Sequence, residues 1–355
     1  MKKIYIFLLS LASLQTFAQS DSDLKAIAAR KADSLFSQTV AWRRDFHEHP
    51  ELGNREFRTA GIVSNFLKSL GMEVKTGIAT TGVVGVLKGA YPGPVVALCS
   101  ELDALPVTER TPVPFASKVT TTYNGQTVGV MHACGHDSHM AMLMTVAEIL
   151  TSMKGQLHGT VKFIFQPAEE GVPAGEKGGA EEMVKEGVLD NPKVDVIFAQ
   201  HIFSYMPAGT ITYRPGGAMA SVNDMKIIIK GKSSHGAEPW FSVDPIVTSA
   251  EIINNLQTIV SRNVNLKENP AVVTIGAING GNRHNIIPEK VEMLGTLRAM
   301  SDADEQLLIA RVKQIVTKTA EANGATAEVD IPYSVHYPVT YNDPALTAKM
   351  LPTLQ

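Results

Sequence analysis

The sequence has 355 residues, of which 44% are hydrophobic and 19% are charged, and its formal net charge at pH 7 is −3. This length and composition are typical of a globular enzyme with about two domains. The small negative charge and the lack of a basic stripe argue against nucleic acid as a partner.

The first eighteen residues, MKKIYIFLLSLASLQTFA, have the layout of a secretory signal peptide, because Lys2 and Lys3 precede an apolar run and small residues precede Gln19. The run is too short for a stable membrane span. We therefore expect residues 1–18 to be removed. The mature protein is then exported, periplasmic or extracellular, and carries no membrane anchor.

Residues 22–70 have the spacing of helices, with Gly71 placed as a stop signal. Short β-rich runs and two more helices follow; the predicted strands are 72–75, 83–88, 95–99, 161–165 and 194–199, and the predicted helices are 139–153 and 179–187. Strands that alternate with helices indicate an α/β sheet.

From about Asp224 the order becomes strand, helix over 244–262, strand, strand, helix over 302–322, strand. This order predicts a split βαβ, ferredoxin-like α+β sandwich. We interpret residues 223–335 as a domain inserted into a catalytic domain made of residues 19–222 and 336–355.

Between the early helices, the segment RRDFHEHPELGNRE crowds His47, His49, Glu48, Glu51 and Glu56. On composition alone this segment could be a metal-binding turn. A surface helix end with a turn at Pro50 is the interpretation we favour.

Residues 131–140, MHACGHDSHM, bring Cys134, Asp137 and three histidines (His132, His136 and His139) into ten positions. All of these side chains can bind a metal ion or orient a ligand. Cys134 and His136 are two apart and cannot share a helix face, so the spacing predicts a turn that points both at one place, with a helix beginning near His139. A solvated polar turn remains the alternative.

The two cysteines leave a further alternative open, since Cys99 and Cys134 of an exported protein could form a disulfide. Cys99 lies in the apolar run PVVALCSE, where a thiol behaves as a small hydrophobe. Cys134 lies among histidines, which favours a metal ligand.

Polar residues follow the predicted strands, at the sheet edge where α/β proteins bind ligands. Glu101 and Asp103 follow one strand, Glu169 and Glu170 another, and His201 a third. From these, the set of Cys134, His136, the Glu169–Glu170 pair and His201 suits zinc or a similar transition metal. One of two adjacent glutamates can bind metal while the other takes a proton from water, although a solvated loop is the alternative for this pair alone.

Five ordered motifs carry a resemblance to a known family: HACGHD, FQPAEEG, the histidine after VIFAQ, SSHGAEP and GGNRHNIIPEKVEMLGTLR. The sequence resembles the amidohydrolase branch of the aminoacylase and carboxypeptidase-type dimetal peptidase family, which includes hippurate hydrolases and indole-acetyl-amino acid hydrolases. The resemblance covers residues from about 40 to 340. It implies a mixed-sheet catalytic domain with an inserted lid and dimerisation domain.

The resemblance also implies two divalent metal ions, which could be zinc, manganese, cobalt or nickel. Its implied metal ligands are Cys134, His136, Glu170 and His201. Glu169 is the implied general base for a hydroxide that bridges the metals and attacks an amide carbonyl. Asp103 matches a supporting acid, and the role of Glu101 stays open because relatives usually carry Ala–Asp at positions 100–101.

In the inserted domain, His235 matches a residue that reaches the active site of a partner subunit and stabilises the oxyanion. Asn285 and Arg298 match positions expected to hold the substrate carboxylate. The resemblance therefore implies a homodimer. A surface histidine at 235 and an ordinary ion pair at Arg298 are the alternatives.

The family takes its last metal ligand, a histidine, from a C-terminal segment, and nothing after Tyr341 matches it. We therefore expect this sequence to be a truncated form with an incomplete second metal site. The predicted function is a metal-dependent amidohydrolase acting on N-acyl amino acids or small peptide-like conjugates. The alternatives are a non-catalytic protein that binds metal or acyl-amino acids, and a carboxypeptidase or dipeptidase of the same superfamily.

Overall fold

The computed structural model describes residues 21–173, 175–334 and 336–354, so the predicted signal peptide at 1–18 lies outside the described residues. The chain divides into two compact units, with the boundary between Met206 and Pro207. Within the described ranges, no helix has the length and apolar character needed to cross a membrane.

The first unit alternates helices and strands. Its elements are α1 (Asp21–Glu48), α2 (Phe57–Ser69), β1 (Glu73–Ile78), β2 (Gly82–Lys88), β3 (Tyr91–Glu101), β4 (Thr120–Tyr123), β5 (Gln126–Gly129), α3 (His136–Ser152), β6 (His158–Gln166), α4 (Gly179–Lys185) and β7 (Val196–Ala199). The main sheet has the order β1-β2-β6-β3-β7, and β4 and β5 form a separate hairpin. Strand β3 is parallel to both β6 and β7, whereas β1 and β2 run antiparallel.

Both faces of the main sheet are covered, because alternate residues along each strand point to opposite faces. Val83 and Phe163 belong to a core shared with α2 and α3. Val84 and Ile164, their neighbours in sequence, belong to a second core shared with α4. Strands β6 and β3 therefore lie inside the sheet, β7 forms its edge, and the three parallel strands end at the same edge of the sheet.

The second unit contains a second α+β arrangement. Its elements are β8 (Gly216–Met219), β9 (Val222–Lys230), β10 (Ser234–His235), α5 (Pro245–Arg262), β11 (Val272–Gly280), β12 (Ile286–Ile287), β13 (Lys290–Arg298), α6 (Asp302–Ala322), β14 (Thr326–Asp330), β15 (His336–Tyr337), β16 (Thr340–Asn342) and α7 (Pro344–Leu354). Its main sheet is antiparallel with the order β11-β13-β9-β14, and β15 also pairs with β9. Helices α5 and α6 pack on one face, over buried residues such as Ile227 and Met293.

The predicted α/β fold class is confirmed, and the strand order of the second unit is that of the predicted split βαβ sandwich. The chain divides after Met206, and residues 336–337 and 340–342 pair with strands β9 and β8 of the second unit. The predicted assignment of residues 223–335 to an inserted lid stays a prediction. Helix α3 begins at His136, three residues before the predicted position.

Candidate metal centre

The candidate centre lies where the parallel strands of the first unit end. Strand β3 ends at Glu101, β6 ends at Gln166 and β7 ends at Ala199, and all three point the same way. The loops after these strands carry Asp103, the Glu169–Glu170 pair and His201, as the sequence predicted. This edge is where open α/β sheets bind their ligands.

The turn that carries Cys134 and His136 is fixed to this edge by backbone contacts. Leu105 and Met131 exchange two hydrogen bonds of 3.0 Å, which hold the loop after β3 against the start of the turn. Gly135 has a φ of +104°, and a Cβ there would lie 2.5 Å from the side chain of Ile202. Only glycine allows the chain to turn this tightly before α3 begins.

Three of the predicted ligands converge. The Sγ of Cys134 lies 3.2 Å from the Nε2 of His201. His136 is buried, and its Nδ1 donates to the backbone carbonyl of Asp103 at 2.8 Å. This hydrogen bond leaves the Nε2 of His136 facing the centre, where Cys134, His136 and His201 offer donor atoms within 4.8 Å of one another.

The two glutamates also face His136. An Oε of Glu169 lies 3.7 Å from the Nε2 of His136, and an Oε of Glu170 lies 3.9 Å from it. The backbone N–H of Glu170 donates to Oδ2 of Asp103 at 2.9 Å, so the buried Asp103 sets the position of this pair. The Glu169 side chain is 40% exposed and that of Glu170 is 23% exposed, so the pair lies at the rim of the centre, where His136 and Asp103 anchor it.

A second buried carboxylate supports the glutamate loop from behind. Glu56 is 0% exposed, accepts the backbone N–H of Ala168 at 2.8 Å and accepts the hydroxyl of Thr81 at 2.6 Å. Ala168 has a φ of +48°, a left-handed conformation that costs a non-glycine residue free energy. The hydrogen bond from Ala168 to Glu56 holds this conformation directly before Glu169.

The pKa values of the centre reflect burial and crowded acids. Burial raises the pKa of Glu169 to about 7, and the negative charge of Glu170 adds to this. Burial lowers the pKa of His136, but hydrogen bonds with Asp103 and Cys134 and the nearby carboxylates outweigh it and raise the pKa to about 11. The negative charge of these carboxylates holds a proton on His136. It would likewise favour a metal cation in place of that proton.

The donor set fits a divalent transition metal. A thiol, imidazoles and carboxylates from separate loops meet, which is the ligand chemistry of zinc and its neighbours. The Oε1 of Glu170 and the Oδ1 of Asp103 are buried without a hydrogen-bond partner. Buried carboxylate oxygens are costly when unpaired, so a bound cation accounts for the orphaned oxygen of Glu170.

Comparison with known proteins decides the family. Residues 97–354 match the model of peptidase family M20/M25/M40. The chain belongs to this family. It is 38% identical to the N-acyl-L-amino acid amidohydrolase of Geobacillus stearothermophilus, a match that covers 88% of this chain and 81% of that protein.

Two further proteins are similar over most of the chain. Thermostable carboxypeptidase 1 of Saccharolobus solfataricus is 40% identical over 88% of this chain and 76% of its own length. The crystal structure of the Bacillus subtilis YXEP protein, described as a dinuclear metal-binding peptidase of the M20 family, matches with a TM-score of 0.72. The match is 36% identical in sequence and covers 92% of this chain and 79% of the YXEP chain. The predicted family and fold are therefore confirmed.

Not every polar residue of the M20 turn joins the ligand cluster. His132 is buried, and burial lowers its pKa to about 4. Asp137 binds Arg43 and His47, each at 2.8 Å. Cys134 is a free thiol, as is Cys99, so the disulfide alternative is wrong.

The segment RRDFHEHPELGNRE is only in part the surface helix end and turn that the sequence predicted. Helix α1 does end at Glu48, but Asn54 and Glu56 are 0% exposed and Pro50 is buried as well. The amide of Asn54 donates to the backbone carbonyl of Lys177 at 2.9 Å, beyond the glutamate loop. The crowding of acids was the only available signal, and it could not show which of them turn inward.

The remaining predicted site residues lie in the second unit. His235 ends β10, which pairs with β12, and the backbone N–H of Ala237 donates to its Nδ1 at 3.1 Å. That contact leaves the ring proton on the exposed Nε2. Asn285 is next to β12, its backbone carbonyl accepts the N–H of Gly236 at 2.8 Å, and its buried Oδ1 has no partner.

Arg298 ends β13 and donates to the hydroxyl of Thr296 and to the carbonyl of Leu297. Among the described residues it forms no ion pair with a carboxylate. The alternative of an ordinary ion pair at this position is therefore not supported, and the guanidinium has donors left for another partner.

Proposed function

We propose that this M20 protein is a metal-dependent amidohydrolase that cleaves the amide bond of N-acyl amino acids or small peptide-like conjugates. The observation that carries the proposal is the convergence of a thiol, two imidazoles and two adjacent carboxylates at the carboxyl edge of a parallel sheet. The relatives named as an amidohydrolase and a carboxypeptidase support the same class of reaction.

Cys134, His136, Glu170 and His201 are the residues of this sequence that would contribute ligands to two divalent metal ions, whose identity can be zinc, manganese, cobalt or nickel. When bound, the ions polarise the amide carbonyl and make a water molecule more acidic. His136 contributes its Nε2, because its Nδ1 donates to Asp103. Cys134 contributes a thiolate once its proton is displaced.

Glu169 acts as the general base. It accepts a proton from the attacking water and then gives it to the nitrogen of the departing amine, so the same carboxyl group serves both steps. In the metal-free protein, burial and the neighbouring Glu170 raise the pKa of Glu169 to about 7, which favours its accepting a proton. The backbone hydrogen bonds to Asp103 and Glu56 hold the glutamate loop in place for it.

Three residues of the second unit complete the proposal. In the proposed homodimer, His235 of the partner subunit, with its ring proton on Nε2, donates to the oxygen that becomes negative during attack. Asn285 and Arg298 bind the carboxylate of the substrate through amide and guanidinium donors. We also propose a homodimer, which light scattering of the purified protein would test; a monomer at micromolar concentration would contradict it.

Export is a separate proposal, supported only by the layout of residues 1–18. Expression of the full chain followed by fractionation and N-terminal sequencing tests it. We expect processed protein outside the cytoplasm, beginning near Gln19. Unprocessed protein in the cytoplasm would contradict it.

The second candidate is a carboxypeptidase, favoured by the 40% identity to thermostable carboxypeptidase 1. A panel of N-acetyl, N-benzoyl and indole-acetyl amino acids together with unblocked dipeptides separates the two activities. Release of amine from the acylated compounds supports the amidohydrolase. Cleavage of the unblocked dipeptides alone supports the peptidase, and saturable binding without any cleavage would indicate a non-catalytic binder.

The role of Glu169 is tested by Glu169→Gln, which keeps the shape of the side chain and removes its basicity. We expect turnover to fall by about 10²- to 10⁴-fold, with unchanged metal content. Glu181→Gln, at a side chain that is 82% exposed on α4, is the matched control and should keep full activity. Retained turnover in Glu169→Gln would exclude Glu169 as the base.

A further inference from the structure

Two residues beside the metal centre, Glu101 and His139, have no part in the mechanism proposed above. Glu101 is the last residue of β3, and His139 lies in the first turn of α3. The side chain of His139 is 1% exposed and that of Glu101 is 14% exposed. Together with His136 they form a group of donors that could itself hold a metal ion.

The hydrogen bonds of His139 argue against a ligand role. Its Nε2 lies 3.0 Å from the backbone nitrogen of Ile202, and because a peptide N–H can only donate, this Nε2 accepts and carries no proton. The ring proton is therefore on Nδ1, which lies 2.8 Å from an oxygen of Glu101. Both nitrogens of His139 are used, which leaves no lone pair for a metal ion.

His139 contacts Ile202, the residue immediately after His201 in the chain. Ile202 receives two hydrogen-bonding partners, since its N–H donates to His139 and its carbonyl accepts the Nδ1 of His201 at 2.5 Å. The rings of His139 and His201 also pack edge to face, with centroids 4.9 Å apart and planes at 67°. The Nε2 of His201 is thereby left facing the Sγ of Cys134.

We propose that Glu101 and His139 are a positioning pair that holds His201 at the metal centre. Glu101 fixes the ring and the tautomer of His139, and His139 fixes the backbone of Ile202 and so the direction of the His201 ring. Neither residue touches substrate or metal. This inference rests on the proposed role of His201 as a ligand, and it gives a role to the glutamate at position 101 that the family resemblance left open.

The test measures metal binding, by competition of Zn²⁺ between the protein and a chelator. His139→Leu removes both hydrogen bonds, so we expect metal affinity to fall by about 10- to 100-fold while the number of ions bound at saturating Zn²⁺ stays the same. His139→Gln should keep most of the affinity, because its amide can donate to Glu101 and accept from Ile202.

Two further variants test whether the residues act as a pair. Glu101→Ala should weaken Zn²⁺ binding in the same direction, and the double variant Glu101→Ala/His139→Leu should be no weaker than His139→Leu alone. His158→Leu, an exposed imidazole at the opposite end of β6, is the control and should bind as the wild type does. If His139→Leu does not fold, Glu101→Ala and His139→Gln carry the comparison.

Three results would overturn the inference. The loss of one bound ion at saturating Zn²⁺ in His139→Leu would make His139 a ligand. Unchanged Zn²⁺ affinity in His139→Leu would show that His139 does not support metal binding. Equal losses in His139→Gln and His139→Leu would show that the hydrogen bonds of His139 are not what supports it. A wild-type protein that binds Zn²⁺ but hydrolyses no amide in the panel would contradict the proposed function alone, because the binding comparison does not depend on turnover.

Discussion

The metal centre of the first unit and the sheet core of the second unit bury opposite kinds of side chain. At the metal centre, charged side chains such as Asp103 and His136 are almost fully buried, and buried carboxylate oxygens lack partners. In the second unit, alternate residues of β9 and β13 are apolar and fully buried beneath α5 and α6, for example Ile227 and Met293. Burying these polar groups costs free energy that their chemical role requires, whereas burying the apolar side chains of the core stabilises the fold.

The difference shows where stability and function can be changed separately. Substitutions in the apolar core should change the free energy of unfolding of the second unit and leave the metal centre alone. Substitutions at the metal centre should change metal binding or turnover more than they change folding. The four predictions below test this separation.

The largest effect is expected for Ile227→Ala in β9. Ile227 is 0% exposed, so the substitution leaves a cavity beneath the helices and should lower the free energy of unfolding by about 2–5 kcal/mol. Urea unfolding of the purified protein measures this, and a chelator competition should show unchanged Zn²⁺ affinity.

Ile228→Ala is the matched control, since Ile228 is the next residue of the same strand and points to the opposite, partly exposed face. It should cost about 1 kcal/mol or less. Equal losses at both positions would show that the second unit does not have the one-sided core described here.

The next effect concerns metal binding and pH. Without metal, the pKa of His136 is about 11 and the pKa of Cys134 is raised above its ordinary value of 9.0, so both carry protons between pH 6 and pH 8. Both must lose them to bind metal, so affinity should rise with pH, by up to about 100-fold per pH unit for two displaced protons.

Chelator competition at pH 6, 7 and 8, together with calorimetry in buffers of different ionisation enthalpy, measures the slope and the protons released. Cys134→Ser removes one displaceable proton, and its slope should fall to about tenfold per pH unit. An affinity that does not change with pH would contradict the protonation states assigned to His136 and Cys134.

Much of this centre follows from the sequence for a physical reason. Parallel strands end at one edge, so polar residues directly after β3, β6 and β7 had to lie near each other. That argument placed Asp103, Glu169, Glu170 and His201, and the short HACGHD turn added Cys134 and His136. The period-two and period-3.6 patterns likewise placed the longer helices and the main-sheet strands of both units, but not the short strands β4, β5, β8, β15 and β16.

The supporting carboxylates could not be predicted in this way. Glu56 comes from a segment more than a hundred residues before Ala168, and its partners are a backbone N–H and a hydroxyl, which carry no sequence signal. A glutamate is usually exposed, so a surface helix end with a turn at Pro50 was the favoured interpretation of the segment RRDFHEHPELGNRE. Pairing between distant loops, as for Glu101 with His139, is set by tertiary packing and not by local pattern.

Glu56→Ala tests this hidden support and should have an intermediate effect. It leaves the N–H of Ala168 and the hydroxyl of Thr81 without an acceptor, so the loop before Glu169 can leave its left-handed conformation. We expect kcat to fall by about 10- to 100-fold and the free energy of unfolding to fall by about 1–3 kcal/mol.

Glu56→Gln separates shape from charge in the same position. Burial raises the pKa of Glu56, so a neutral side chain is tolerated there, and its amide oxygen can still accept the N–H of Ala168. This variant should keep most of the activity in a steady-state assay. A loss as large as that of Glu56→Ala would show that the charge, not the hydrogen bond, supports the glutamate loop.

The smallest effect is expected where charge lies on the open face of the second sheet. Lys230 of β9 and Glu328 of β14 form an ion pair across neighbouring strands, and their side chains are 50% and 58% exposed. Water screens such a pair, so Lys230→Met should change the free energy of unfolding by less than about 1 kcal/mol. Urea unfolding at low and high salt measures it. A loss comparable to that of Ile227→Ala would mean that this face is covered in solution, because only a desolvated pair could contribute so much.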